Sequence, residues 1–218
     1  MSDLHDQRMA RFREEGLYLV TSQSLSGGRT TPQIVAAALA VGVGLIQLRE
    51  KEMPNREFRA LAAEIRAMTA DAGALLIVND DVDTALEVGA DGAHLGLDDA
   101  PIAETRGRAP DLILGASTHS VEEACKAQDE GASYINIGPL FETRTKAWGD
   151  ALLGLEGLRE IAAVARVPFT VMGGIKRHHV PSLLSNGVTT IAVVTAITAA
   201  DDPGAAARRF LSAMTEAD

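Results

Sequence analysis

Residues 73–99 read GALLIVNDDVDTALEVGADGAHLGLDD. An apolar run, Ala74–Val78, ends in the polar cluster Asn79-Asp80. A helical stretch follows over Val82–Val88, and Gly89 stands where a helix C-cap glycine belongs. A second apolar run, Gly92–Leu95, then ends in Leu97-Asp98-Asp99. Both runs are short and non-alternating, as expected of strands buried on both faces. Strand, polar cluster, helix, glycine and strand make one βα unit.

The same unit recurs along the chain. The expected strands are Tyr18–Thr21, Leu45–Leu48, Ala74–Val78, Gly92–Leu95, Ile113–Ala116, Tyr134–Ile137, Phe169–Met172 and Thr190–Val194. The expected helices are Pro32–Val41, Asn55–Ala72, Val82–Val88, Pro101–Arg108, Val121–Glu130, Leu155–Ala165, Val180–Leu184 and Pro203–Met214. Thr31 reads as the first of these helices' cap, with Pro32 at the first helical position. Eight units favour a closed barrel over an open sheet. The fold class expected is α/β, a single-domain (β/α)8 TIM barrel. Residues 1–16 form a short N-terminal surface helix and residues 17–218 the barrel. In such barrels the active site gathers at the C-terminal ends of the strands.

The 218 residues suffice for one domain with a large core. Hydrophobic residues make up 46% and charged residues 23%, an ordinary soluble composition. No apolar run nears the ~20 residues of a membrane span, and residues 1–16 lack a signal-peptide core. A lone cysteine, Cys125, excludes an internal disulfide and a cysteine metal site. These features point to the cytoplasm. The net charge of −10 argues against nucleic acid as the main partner.

Seven clusters follow the apolar runs, and they hold two chemistries. Gln47, Arg49 and Lys51 alternate, so they share one face of an extended chain. A planar fork beside a compact cation suits a diphosphate. The competing reading is a surface ion-pair stretch with Glu50 and Glu52. Asp80 and Asp98 end neighbouring strands and suit one divalent cation. Mg2+ takes one or two carboxylates and fills its shell with phosphate and water. Asp80 also suits a helix cap, and Asp81 and Asp99 read as solvated or capping acids. Ser117 suits a phosphate oxygen. His119 reads equally as a proton carrier, a cap or a rim residue. His94 reads as a hydrogen-bonded structural group. Thr143, Arg144, Thr145 and Lys146 suit a phosphate-gripping loop, with Trp148 as its cover or anchor. Gly173-Gly174 and Val194-Thr195 end the seventh and eighth strands, where barrels often bind phosphate through backbone N–H groups.

Together, the runs Gln47-Leu48-Arg49-Glu50-Lys51, Asn79-Asp80, Gly92-Ala93-His94-Leu95-Gly96, Gly138-Pro139 with Thr143-Arg144-Thr145-Lys146, and Gly173-Gly174-Ile175 resemble the thiamine phosphate synthase (thiamine-phosphate pyrophosphorylase) family. The resemblance runs from Tyr18 to Phe210. It implies a transferase that joins hydroxymethylpyrimidine diphosphate to a thiazole phosphate. The products would be thiamine phosphate and pyrophosphate. It implies that Gln47, Leu48, Arg49, Glu50, Lys51, Asn79, Ser117 and Lys146 hold the pyrimidine diphosphate. Thr143, Arg144, Thr145, Gly174, Val194 and Thr195 would hold the thiazole phosphate, and Asp80 and Asp98 Mg2+. Arg49, Lys51 and Lys146 would stabilise the leaving group. Three positions depart from the family pattern: Asp81 stands where Arg is common, Leu97 where Gln is common, and Thr195 where Ser is common. The rival readings are a thiazole tautomerase using His119, a sugar-phosphate epimerase, and a binding barrel that senses thiamine intermediates. Small molecules are the expected partners, and the oligomeric state stays open, a homo-oligomer included.

Overall fold

The computed structural model describes residues 2–143 and 152–215. Eight parallel strands close a barrel in sequence order: β1 (Leu17–Val20), β2 (Leu45–Leu48), β3 (Leu75–Asn79), β4 (Gly92–Leu95), β5 (Ile113–Thr118), β6 (Tyr134–Ile137), β7 (Phe169–Val171) and β8 (Thr190–Val193). The expected barrel is therefore present. Strand bounds shift by a residue or two, most at β5, which runs on to Thr118.

The strands read as apolar runs because each contributes to two cores. Alternate residues point to opposite faces. Tyr18, Val20, Leu45, Leu75, Ile77, Ile113, Tyr134 and Ala192 fill the barrel interior. Leu19, Ile46, Leu48, Leu76, Val78, Leu114, Ile135 and Ile191 pack outward against the helices.

Those helices are α2 (Thr31–Leu39), α3 (Asn55–Asp71), α4 (Val82–Glu87), α5 (Ile102–Arg108), α6 (Val121–Asp129), α7 (Gly154–Ala162), α8 (Val180–Leu184) and α10 (Pro203–Thr215). They follow an N-terminal helix, α1 (Asp3–Glu14). Sequence reasoning missed α9 (Thr195–Thr198), a single turn directly after β8. Thr30, not Thr31, caps α2, in a capping box with Gln33. Thr31 instead donates its hydroxyl to Glu50 at 2.6 Å.

The N-terminal helix is not a plain surface helix. His5, Met9 and Phe12 are buried. Phe12 lies 4.6 Å from the Tyr134 ring and closes the base of the barrel. Met9 and Phe12 are spaced three apart, which puts both on one face of α1. Below the strands, Asp91 accepts from Arg66 at 2.8 Å and from the Leu76 N–H at 2.9 Å. Arg8 lies 3.5 Å from the same carboxylate. His5 bonds Ser133 at 2.9 Å. The base is therefore sealed by one apolar plug beside a charge cluster centred on Asp91.

Candidate active site

The strands' C-terminal ends surround a cavity of about 610 Å3. Its floor is the top of the interior core, Val20, Met172 and Ala192. Among the sequence-predicted residues it collects Gln47, Arg49, Lys51, Asn79, Asp80, Asp98, Ser117, Thr143, Gly174, Val194 and Thr195. Arg144, Thr145, Lys146 and Trp148 lie outside the described residues.

The cluster after β2 divides by alternation. Gln47, Arg49 and Lys51 line the mouth. Leu48 does not; it faces the helix layer. Glu50 does not either. Its carboxylate accepts from Thr21 at 2.8 Å, Thr31 at 2.6 Å and the Gln23 N–H at 2.7 Å. Thr21 in turn accepts from the Arg49 N–H at 2.9 Å. Glu50 thus pins the β1–α2 loop and holds Arg49's backbone, so its role is structural.

On the same wall, Lys51 pairs with Asp80 after the neighbouring strand β3. Among the described residues Arg49 pairs with no carboxylate. Asp80 sits in the left-handed region at φ 63°, which non-glycine residues other than Asn and Asp rarely adopt. That turn swings its side chain into the mouth while Asp81 takes the cap of α4, accepting from Thr84 N–H and hydroxyl at 2.8 and 2.6 Å. Asp81, read from the sequence as a solvated or capping acid, is indeed the cap.

The acid pair differs from expectation. Asp80 stands against Asp99, not Asp98. Burial and the Asp80 carboxyl both raise the Asp99 pKa. Asp99 is held by the Gly96 N–H at 2.7 Å, which turns it inward. Asp98 lines the rim and is exposed, as is Leu97. Sequence reasoning chose Asp98 from this doublet and read Asp99 as a solvated or capping acid, because nothing local reports the turn after Gly96 that brings Asp99 inward. All donors of the Asp80–Asp99 pair are carboxyl oxygens, which fits a hard divalent cation and not a soft one.

His94 is buried between Tyr134 (2.9 Å) and Ser117 (3.0 Å). Burial lowers its pKa to about 4, so it is neutral near pH 7. The structural reading of His94 fits this, and the residue also lines the mouth. His119 faces the mouth, with Nδ1 against the Gly138 carbonyl and its N–H on Glu123 at 2.7 Å.

On the far side, Gly173 and Gly174 have φ of 100° and 63°. A β-carbon on Gly174 would lie 2.1 Å from the Glu142 carbonyl oxygen. Only glycine admits both that backbone and that approach. Thr195 opens α9 beside it, and the first N–H groups of a helix lack intrahelical partners. Their donors suit an anion.

Two opposed groups of donors on a β/α barrel mouth define an enzyme for anionic substrates. Cations and carboxyls stand on the β2–β4 side and backbone N–H groups on the β7–β8 side. A family model described as thiamine monophosphate synthase matches residues 17–197. The thiamine-phosphate synthase of Moorella thermoacetica is 43% identical over 92% of this chain and 96% of its own. That of Chloroflexus aurantiacus is 43% identical over 89% and 90%. A solved thiamine phosphate pyrophosphorylase from Pyrococcus furiosus superimposes with a TM-score of 0.87 at 36% identity, over 94% of this chain and 98% of that one. The chain belongs to the thiamine monophosphate synthase family. It is an enzyme, a transferase that moves an alkyl group.

Proposed function

We propose that this protein joins hydroxymethylpyrimidine diphosphate to thiazole phosphate, and that the groups at the barrel mouth carry the reaction. The products are thiamine phosphate and pyrophosphate. The observation that carries the reading is the opposition just described: Arg49, Lys51, Asp80 and Asp99 on one wall, Gly174 and Thr195 on the other, in one cavity.

The diphosphate lies against Arg49 and Lys51, with Ser117 and Asn79 beside it. Asp80 and Asp99 would hold Mg2+, which when bound neutralises the diphosphate and eases its departure. Arg49 donates its fork to phosphate oxygens. Lys51 follows the charge as it gathers on the leaving group. Through the family resemblance Lys146 joins the diphosphate side, and Arg144 and Thr145 join the thiazole phosphate side. The thiazole phosphate rests on the backbone N–H groups of Gly174 and Thr195, bounded by Val194 and Thr143.

In the reaction the C–O bond between the pyrimidine methylene and the diphosphate breaks, and its electron pair leaves with pyrophosphate. The thiazole nitrogen then supplies the pair for the new C–N bond. No protein nucleophile and no net proton transfer are required. The chain's task is to align two substrates, stabilise departing charge and exclude water. Val20, Met172 and Ala192 supply the apolar floor on which the rings meet. The setting is a small-molecule enzyme of the cytoplasm, and no described helix is long and apolar enough to cross a membrane.

The test mixes purified protein with both substrates and Mg2+ and follows both products, with and without EDTA. Metal-dependent formation of the two in equal amounts is expected. Folded protein that forms neither product removes the synthase reading.

A further inference from the structure

Five side chains from five strands make one hydrogen-bonded chain beneath the mouth. Gln47 Nε2 donates to the Tyr18 hydroxyl at 2.7 Å. The Tyr18 and Tyr134 hydroxyls are 2.9 Å apart. Tyr134 reaches His94 Nδ1 at 2.9 Å, and His94 Nε2 reaches Ser117 at 3.0 Å. The chain runs from β2 through β1, across the barrel to β6, and on through β4 to β5. All but Ser117 are at most 5% exposed. The strands also make room for it. A β-carbon on Gly115 would lie 2.2 Å from Tyr134 Cζ and 2.5 Å from His94 Nδ1, where the Tyr134–His94 bond passes.

Each phenol has one proton, so the order of donors is fixed from one end. An amide nitrogen only donates. Tyr18 accepts from Gln47, and the acceptor within reach of its own buried proton is the Tyr134 oxygen, so leaving no buried hydroxyl proton unbonded requires it to donate there. By the same requirement Tyr134 gives its proton to His94 Nδ1. Neutral His94 therefore carries its proton on Nε2 and donates it to Ser117. Two consequences reach the mouth. Gln47 turns its carbonyl oxygen to the ligand, and Ser117 is left with its hydroxyl proton free for a phosphate oxygen. Reversing Gln47 would reverse every bond and leave Ser117 only lone pairs to offer. Phosphate oxygens cannot donate to those.

We infer that Tyr18, Tyr134 and His94 are positioning residues, a buried one-way chain that fixes Ser117 as a donor and Gln47 as an acceptor and couples the two. The chain spares the site the cost of reorienting these groups when substrate arrives. It also makes the donor pattern of two separate strands, β2 and β5, a single property. Its link to catalysis rests on the proposed placement of the diphosphate beside Ser117; the chain itself does not.

The direct test is 15N NMR of the full chain with labelled histidine, with His94 assigned through His94→Gln. The wild type is expected to show a single Nε2–H tautomer at His94. Gln47→Glu places a carboxylate, which only accepts, at the start of the chain. It is expected to switch His94 to the Nδ1–H form. An unchanged tautomer in folded Gln47→Glu would overturn the inference. Tyr134→Phe removes the donor to Nδ1 and is expected to give both tautomers. A wild-type pattern in that folded variant would overturn it too.

The kinetic arm compares Tyr134→Phe, Ser117→Ala and the double variant. Each single change is expected to lower kcat/KM for the diphosphate about 10-fold, the scale of one hydrogen bond to a charged group. The double variant should lose no more than the worse single within about 2-fold, because the changes disable one unit. A multiplicative loss of about 100-fold would overturn the coupling. If the wild type forms no product, the proposed function fails while the NMR result still decides the chain.

Discussion

The two ends of this barrel treat charge differently. At the base, the carboxylate of Asp91 meets Arg66, Arg8 and the Leu76 N–H. Arg106 donates to the Gly131 and Leu112 carbonyls and to Ser133. At the mouth, Arg49 has no carboxylate partner among the described residues, Asp80 sits in left-handed backbone and two carboxyls stand against each other. Both ends are built by the same strands from similar residue types. The base gives Asp91 cationic partners and Arg106 carbonyl and hydroxyl acceptors within the fold, which stabilises it. The mouth leaves charge mismatched, a cost that makes sense only where a ligand completes it.

The sharpest way to break this contrast is to change one carboxylate at each end. Asp80→Asn keeps a residue that tolerates the left-handed turn and removes the charge. Thiamine phosphate formation is expected to fall about 10^3-fold, the scale of losing a main electrostatic contact. The thermal midpoint should hold or rise, since repulsion with Asp99 is relieved. A parallel collapse of stability would erase the distinction between the ends. Asp91→Ala should do the opposite. Orphaning two arginines and a buried N–H is expected to destabilise by about 3–5 kcal/mol, measured by denaturant unfolding. The folded enzyme should keep kcat within about 2-fold of wild type, because the change acts on folding and not on the reacting groups.

Gly174→Ala sharpens the contrast within the mouth itself. The new β-carbon would meet the Glu142 oxygen at 2.1 Å, so the β7–α8 loop must shift. The KM for thiazole phosphate is expected to rise about 10-fold or more. The KM for the diphosphate should change little, because Arg49 and Lys51 lie across the cavity. Equal effects on both would mean that the two walls are not separate subsites.

The barrel was legible because its strands are buried on both faces, and runs such as Leu75–Val78 then carry no polar residue. The alternation Gln47, Arg49, Lys51 was equally legible, since a period of two survives the strand's end. Three features were hidden. Leu48 and Glu50 belong to the same motif, yet the pleat turns them away from the mouth. The choice of Asp99 over Asp98 depends on one turn after Gly96. The partnership of Tyr18 with Tyr134 joins residues 116 positions apart, and no local pattern reports that. The N-terminal helix misled for a related reason: Met9 and Phe12 are too few to look like a core face, but the open base of the barrel needs only a small plug.

The smallest expected effect concerns a histidine at the base. Burial holds His5 below its ordinary value of 6.5, with Arg106 lowering it further and Asp6 opposing. Its ring is bonded to Ser133, and burial favours the neutral form in the folded chain. Above that value both states hold the neutral ring, and the group adds no pH dependence. As the pH falls through it, the unfolded chain takes up a proton that the folded chain resists. Stability must therefore fall with decreasing pH down to the folded pKa. His94 and His179 shift in the same direction, so wild type alone cannot single out His5. Unfolding free energy measured from pH 8 to 5 should slope less steeply in His5→Gln than in wild type. The difference between the curves should be confined to the region below about pH 7. Identical slopes would mean that the base histidine is solvated when folded, and that the plug formed by α1 is looser than its buried face implies.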